Sequence, residues 1–238
     1  MPNALLETLS SLVFPVLCEI CGQALNPNPP SGICEKCAAS IKKIAAPHCH
    51  GCGRTLIGQT LRCADCQNES YSYDSVFACA SYEGPMRELI HAYKFKHRKY
   101  LKHFFIRMAE EFIRSNIRCT HLEITLPVPI GAHRSLERGF NQSELISMAI
   151  ARNLNLRHSS GNLVRTKSET AQSLLTKNDR KINVKGAFSV KRPELLKSKN
   201  LLLIDDILTT GQTASECARI LKEAGASSVT VLAMARGV

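Results

Sequence analysis

A chain of 238 residues with 44 % hydrophobic residues holds enough apolar material for one sizeable core and a small appendage. With no Trp and 5 % aromatics it has too few rings for an aromatic-lined sugar or lipid pocket, and no stretch approaches a transmembrane helix. The formal net charge of +11 is unevenly placed. Residues 1–70 hold five basic and five acidic side chains, so the whole excess lies in residues 71–238. That points to a phosphate-bearing partner, nucleotide or nucleic acid, with a generally basic solvated surface as the plain alternative.

In chain order, Leu5, Leu9, Leu12, Val13 and Val16 come first, spaced for a short amphipathic helix. Glu7, the lack of a basic start and the lack of a small-residue cleavage site before Cys18 argue against a secretory signal. The expectation is a helix packed on its own chain in a cytoplasmic protein, with membrane association the alternative.

Eight cysteines follow as four Cys-x-x-Cys pairs, at 18/21, 34/37, 49/52 and 63/66, separated by 12, 11 and 10 residues. Two thiolates two residues apart can face into one tight turn, and Gly22 and Gly53 supply the left-handed backbone such a knuckle needs. Four thiolates complete a tetrahedral zinc site, so eight predict two structural Zn²⁺ ions. These would stabilise a segment too poor in large apolar residues to fold alone, by about 10 kcal/mol each. A disulfide framework would need an oxidising compartment, and an iron–sulfur cluster is a further alternative. Sequential ligand sets, Cys18/Cys21/Cys34/Cys37 and Cys49/Cys52/Cys63/Cys66, are favoured over a cross-braced arrangement. His48 and His50 flank Cys49 as spare ligands, whereas Cys79, Cys119 and Cys217 read as ordinary thiols.

From Asp74 the pattern alternates between strand and helix. Val76–Tyr82 reads as a strand and Gly84–His97 as a helix, followed by a second helix with Leu101, Phe104, Phe105, Met108, Phe112 and Ile113 on one stripe. The segment Tyr93–His103 interleaves Lys94, Lys96, Arg98, Lys99 and Lys102 with aromatics, a composition suited to tracking and stacking on single-stranded nucleic acid. The plainer reading puts Tyr93 in the core and the cations in solvent. Glu123–Val128 reads as a strand, Asn141–Asn155 as a helix, and residues 160–198 as polar and basic without a long element. Leu201–Ile204 is an apolar run typical of a strand buried on both faces of a parallel sheet. Thr213–Ala224 is helical and Val229–Ala235 a closing strand, so the whole predicts an α/β domain with a mainly parallel central sheet.

The most informative stretch is Leu201–Thr213, where a buried strand runs into Asp205 and Asp206 and then a Thr/Gly loop that opens a helix. Ligands of parallel sheets sit at strand carboxyl ends. The hydroxyls of Thr209, Thr210 and Thr213, the loop amides and the helix N-terminus make a phosphate cradle, and Gly211 lets the backbone close on the anion. Neither a Gly-x4-Gly-Lys loop nor a dinucleotide fingerprint is present. Two acids beside a phosphate cradle suit a sugar phosphate.

This stretch resembles the phosphoribosyl pyrophosphate (PRPP) motif of type I phosphoribosyltransferases. The resemblance implies that Asp205 and Asp206 hold the ribose hydroxyls and position a Mg²⁺–PRPP complex, while Thr209, Thr210, Gly211, Gln212 and Thr213 take the 5′-phosphate. It further implies that Pro127–His133 is the pyrophosphate loop, with Gly131 in it and Arg134 and Arg138 nearby, and that Arg165–Phe188 is the hood, bringing Gln172, Arg180 and Lys185. Thr209 stands where purine-salvage members carry an Asp that serves as base, which disfavours purine salvage. Taken with the four Cys-x-x-Cys pairs, Tyr93-Lys-Phe95, Arg138-Gly-Phe-Asn-Gln-Ser143 and Asn183-Val-Lys-Gly-Ala-Phe188, the chain resembles the ComF/GntX competence family over essentially its whole length. That resemblance implies two parts: residues 1–70, an N-terminal helix with a double zinc ribbon, and residues 71–238, a phosphoribosyltransferase-like domain. It implies a cytoplasmic role with incoming single-stranded DNA and other DNA-uptake proteins. An active phosphoribosyltransferase with an unidentified acceptor, and a protein–protein adaptor, are the other readings.

Overall fold

The computed structural model describes residues 16–25, 31–58, 60–117, 121–167 and 184–237. The cysteine-rich head contains one short helix, α1 (Glu35–Ala39), and a 3₁₀ turn at Ala64–Cys66. The larger part begins with β1 (Ser75–Ser81), α2 (Gly84–Phe95), α3 (Lys102–Asn116) and β2 (Ile124–Pro127). It continues with α4 (Ala132–Arg138), α5 (Gln142–Asn153), β3 (Arg157–His158), β4 (Leu163–Arg165) and β5 (Phe188–Val190). It closes with β6 (Asn200–Leu208), α6 (Gln212–Glu223) and β7 (Ser228–Arg236).

Five strands form one sheet in the order β1-β7-β6-β2-β3, every neighbouring pair parallel. The apolar run of β6 divides by parity, as a strand covered on both sides must. Leu202 and Ile204 face a layer that includes Met86, Leu89, Phe105, Ile113, Ile146 and Ile150, whereas Leu201 and Leu203 face Ala214, Cys217, Ala218 and Leu221 of α6. Thus α5, which follows β2, and α6, which follows β6, lie on opposite faces of the sheet. The connections leaving β2 and β6 diverge and open a crevice at their carboxyl ends, the place where open α/β sheets hold ligands.

The structure departs from the expected elements in four places. α2 stops at Phe95, and His97 then takes a positive φ of 54°, which a helix cannot contain. The strand expected over Leu201–Ile204 runs on to Leu208, so both acids are themselves strand residues. The segment after Pro127 is a loop only as far as Gly131, the N-cap of the seven-residue α4. The region read as lacking a long element holds β4 and β5, each 3 residues, paired antiparallel.

The head is fused to the sheet. Cys18, Leu25, Ile33, Cys37 and Ile41 belong to the same buried cluster as α2 and α3. The backbone around Lys43 lies antiparallel against Ala80, with Ile44 N–H donating to Cys79 O (3.0 Å) and Ser81 N–H to Lys42 O (2.9 Å), so the head covers the free edge of β1. No helix of the described residues is long and apolar enough to cross a membrane.

Candidate functional site

The eight paired cysteines gather as two sets, Cys18/Cys21/Cys34/Cys37 and Cys49/Cys52/Cys63/Cys66, with the sulfurs of each set within 4.8 Å of one another. Cys21 Sγ and Cys34 Sγ stand 3.8 Å apart, and Cys52 Sγ and Cys63 Sγ 3.7 Å. A disulfide requires about 2.05 Å, whereas sulfurs on a tetrahedron with ~2.3 Å zinc bonds are roughly 3.8 Å apart. Backbone amides point at the sulfurs: Cys34 N–H at Cys18 Sγ (3.4 Å), and Gly51 and Cys63 N–H at Cys49 Sγ (3.3 and 3.2 Å). Burial opposes ionisation of Cys18 and Cys49, yet these amides bring the thiols down to about 6 and about 7, favouring the thiolates that zinc binds. Both Cys₄ sets fit structural zinc, in the sequential pairing. Around the second set the buried apolar cluster contains only Leu56 besides Cys49, Cys52 and Cys66, so metal must supply most of its cohesion. Cys79 and Cys217 are buried, their thiols pushed up by burial. Cys119 lies outside the described residues.

At the carboxyl end of β6, Asp205 Oδ1 accepts from Asp206 N–H (2.8 Å), and Asp206 Oδ1 pairs with Lys94 Nζ of α2 at 2.8 Å. Both side chains of that pair are shielded, at 14 % and 15 % exposure. Burial first, and the neighbouring Asp206 second, push the Asp205 carboxyl up to about 7. The chain then passes exposed Thr209 and half-buried Thr210 to Gly211, whose φ of 77° starts α6. Gly211 is required twice over. Only glycine takes this φ cheaply, and a Cβ there would meet the Tyr73 hydroxyl at 2.9 Å and the Tyr71 ring at 3.2 Å.

Those two tyrosines join the loop to the second cysteine set. Their rings stack at 5.1 Å and 11°. The Tyr71 hydroxyl donates to Thr210 O (3.3 Å) and lies 3.7 Å from Cys66 Sγ, while the Tyr73 hydroxyl donates to Gly51 O (2.6 Å). Arg236, 8 % exposed at the end of β7, gives Nε to Cys52 O (2.9 Å) and Nη1 to Leu208 O (3.2 Å) and Gly237 O. Tyr71 and Tyr73 carry no motif signal beyond proximity to Cys66, and Arg236 carries none.

Across the crevice, the Arg138–Ser143 block ties the loop after β2 to α2. Asn141 Nδ2 donates to Val128 O (3.1 Å), and Asn141 Oδ1 caps α5 by accepting from Ser143 N–H (3.1 Å). Gly139 turns the chain at φ 70°. Arg138, 6 % exposed, donates to Gln142 Oε1 (3.2 Å) and stands over the Phe95 ring at 5.0 Å. The Tyr93 hydroxyl, deep in the core, donates to Gln142 O (3.3 Å). Arg134 is exposed on α4.

The basic strip is divided between partners. Tyr93 is buried and turned from solvent, and Lys94 enters the acid pair. Lys96 and Arg98 reach Glu19 at 3.8 and 3.5 Å while remaining more than half exposed, and Tyr100 donates to the same carboxylate (2.6 Å). Lys99 lies over the Phe140 ring at 5.0 Å, and Lys102 is half-buried. At the ends of the segment 165–188, Gly186 N–H donates to Glu216 Oε1 (2.7 Å), and Lys185 O accepts from Lys167 Nζ (3.0 Å). Gln172 and Arg180 lie outside the described residues.

These observations define a class: two Cys₄ zinc ribbons fused to a parallel α/β domain with an acid-and-amide crevice at its strand ends. A family model for the double zinc ribbon domain matches residues 9–67. The chain is 30 % identical to competence protein F of Haemophilus influenzae over 87 % of its own length and 91 % of that protein. It is 31 % identical to DNA utilization protein YhgH of Escherichia coli over 94 % of its length and 99 % of that protein. The chain belongs to the ComF competence family. Among solved structures, a glutamine PRPP amidotransferase from B. subtilis overlaps 60 % of this chain at 13 % identity with a TM-score of 0.42. The chain spans only 30 % of that enzyme's length.

Proposed function

We propose that this protein binds PRPP at the crevice and single-stranded DNA on its basic face, in the cytoplasm, as part of DNA uptake and use during natural transformation. The observation that carries this reading is the meeting of two loops at one crevice. Asp205 and Asp206 lie in the last four residues of β6 and Thr209–Thr213 follow it, and Gly131 and the start of α4 follow β2. The carboxylates suit ribose hydroxyls and the divalent cation that PRPP brings, and the amides at Gly211–Thr213 suit the 5′-phosphate. Arg134, exposed on α4, would meet the pyrophosphate, and the enclosed Arg138 would hold the turn behind it. For DNA, Lys96, Arg98, Lys99 and Lys102 form a strip that begins beside the crevice, and Phe95, 49 % exposed, offers a ring within it. The names of the relatives, a competence protein and a DNA utilization protein, agree with this role. Two thiolate zinc sites favour a reducing compartment.

The test is calorimetric titration of PRPP with Mg²⁺ into the wild type and into Asp205→Asn/Asp206→Asn. The expected result is binding lost in the double variant with its melting temperature retained; equal affinity would remove the sugar-phosphate reading. Single-stranded DNA binding should weaken steeply with salt, and absence of binding at low salt would end the nucleic-acid reading.

A second reading, transfer of the phosphoribosyl group to an acceptor, is favoured by the Asp205 carboxyl. A group held near neutrality at the reacting end of the site is poised to exchange a proton. Acceptor-dependent pyrophosphate release would establish it.

A further inference from the structure

We propose that Lys94 is a tethered counter-cation of the sugar-phosphate site, standing at the acid pair where a divalent cation would otherwise be needed and exchanging with that cation when it arrives. This rests on the PRPP reading of the crevice. The sequence groups Lys94 with the exposed strip that follows it, but the fold separates them. Lys96 and Arg98 turn toward Glu19 of the first ribbon, whereas Lys94 places Nζ 2.8 Å from Asp206 Oδ1 in a shielded pair.

Its position is built rather than incidental. Tyr93 is locked in the core by its hydroxyl on Gln142 O and by Phe105 and Phe140 at 5.2 and 5.5 Å, and Phe95 supports the Arg138 guanidinium. With its neighbours fixed on either side, residue 94 projects from the last turn of α2 into the strand-end crevice. Two adjacent carboxylates without a cation would repel every phosphate brought to them, and a desolvated pair interacts strongly enough to matter. An ammonium on a four-carbon stem can neutralise one carboxylate in the empty site and withdraw when a harder, doubly charged ion takes its place.

The consequence is a site whose need for metal depends on one side chain. The first measurement uses Mn²⁺ alone, followed by electron paramagnetic resonance, on the full chain with its zinc in place. Lys94→Met should bind Mn²⁺ at least about tenfold more tightly than the wild type, because the carboxylates lose their occupant. Asp206→Asn added to Lys94→Met should abolish the gain, and Lys94→Arg, which keeps the charge, should resemble the wild type. The second measurement is PRPP affinity in Mg²⁺-free buffer without chelator, so that the structural zinc stays in place, and in excess Mg²⁺. Wild type and Lys94→Arg should lose less than about fivefold on metal removal, and Lys94→Met more than about tenfold beyond that. Mn²⁺ affinities of wild type and Lys94→Met within twofold of each other, or an equal metal dependence of PRPP binding in the two, would overturn the assignment. If PRPP binds neither protein under either condition, the PRPP reading falls. The Mn²⁺ comparison then decides alone: tighter binding by Lys94→Met upholds the counter-cation, and equal binding refutes it.

Discussion

Replacing Gly211 by Ala should damage the zinc ribbon and the crevice loop together. The new Cβ forces a φ of 77° on an L-residue, which costs about 1–2 kcal/mol. It also arrives 2.9 Å from the Tyr73 hydroxyl oxygen, which is not free to retreat because it donates to Gly51 O at 2.6 Å. Moving the ring breaks that bond and leaves a buried carbonyl without its donor, a further loss of about 1–2 kcal/mol. Together these give about 2–4 kcal/mol, or on the order of 10 °C in melting temperature for a chain of this size. The assay is urea unfolding of Gly211→Ala, Tyr73→Phe and the double variant, with zinc release followed by a colorimetric chelator. Tyr73→Phe removes the nearer of the two clashing groups, so the cost of Gly211→Ala in that background should fall to the backbone part and the Tyr71 contact, a coupling of about 1–2 kcal/mol. A cost under about 0.5 kcal/mol for Gly211→Ala, or strict additivity in the cycle, would refute the reasoning.

Metal analysis should find two zinc ions per chain, falling to one in Cys18→Ser or Cys49→Ser, with loss of the Cys49 site also weakening PRPP binding through Tyr71 and Tyr73. Removing the second zinc while leaving PRPP affinity unchanged would show the loop to be independent of the ribbon. For Asp205, whose carboxyl is raised to about 7, the sign runs two ways. Its contribution to the stability of the ligand-free protein is present at low pH and lost as pH rises through 7, while metal-dependent PRPP binding needs the carboxylate and should tighten about tenfold from pH 6 to pH 8. Calorimetry in buffers of different ionisation enthalpy should register proton release at pH 6 and none at pH 8; a flat profile would exclude Asp205 from the binding step. Arg236→Met takes a guanidinium from three carbonyls, of which only Leu208 O keeps another donor in Gly237 N–H (2.8 Å), and should cost about 3–5 kcal/mol, with zinc lost from the second set before global unfolding. Unfolding and zinc release at wild-type denaturant concentrations would show the guanidinium to be dispensable.

Much of the fold was legible because its signals are local. The spacing of cysteines 18 to 66 predicts the two sequential sets that the sulfurs form, and the parity of Leu201–Ile204 predicts a strand covered on both faces. From Asp74 on, the expected strands and helices fall within about two residues of their observed ends except β6, whose continuation through Asp205 and Asp206 is set by pairing with Ala233 and Ala235 of β7, while the helix expected over residues 5–16 lies, but for Val16, outside the described residues. What was not legible is long-range. Lys94 looks like its cationic neighbours until the sheet brings Asp206 beside it. Arg138 looks like a free phosphate ligand until Gln142 and Phe95 enclose it. Strands β4 and β5 are 3 residues each, too short to print a periodicity.

The closure of the β1 edge by the backbone around Lys43, and of the Gly211 loop by two tyrosines from the end of the head, bears on how this protein can be handled and how it can evolve. A head attached this way is not a cassette. Cutting the chain near residue 70 would leave an unpaired strand edge and strip Tyr71, Tyr73 and Arg236 of their partners Cys66, Gly51 and Cys52. The shortened chain should aggregate rather than serve as a minimal PRPP-binding unit. For the same reason, grafting the head of a distant relative should succeed only when it presents matching partners to Tyr71, Tyr73 and Arg236, making the seam rather than either half the unit of inheritance.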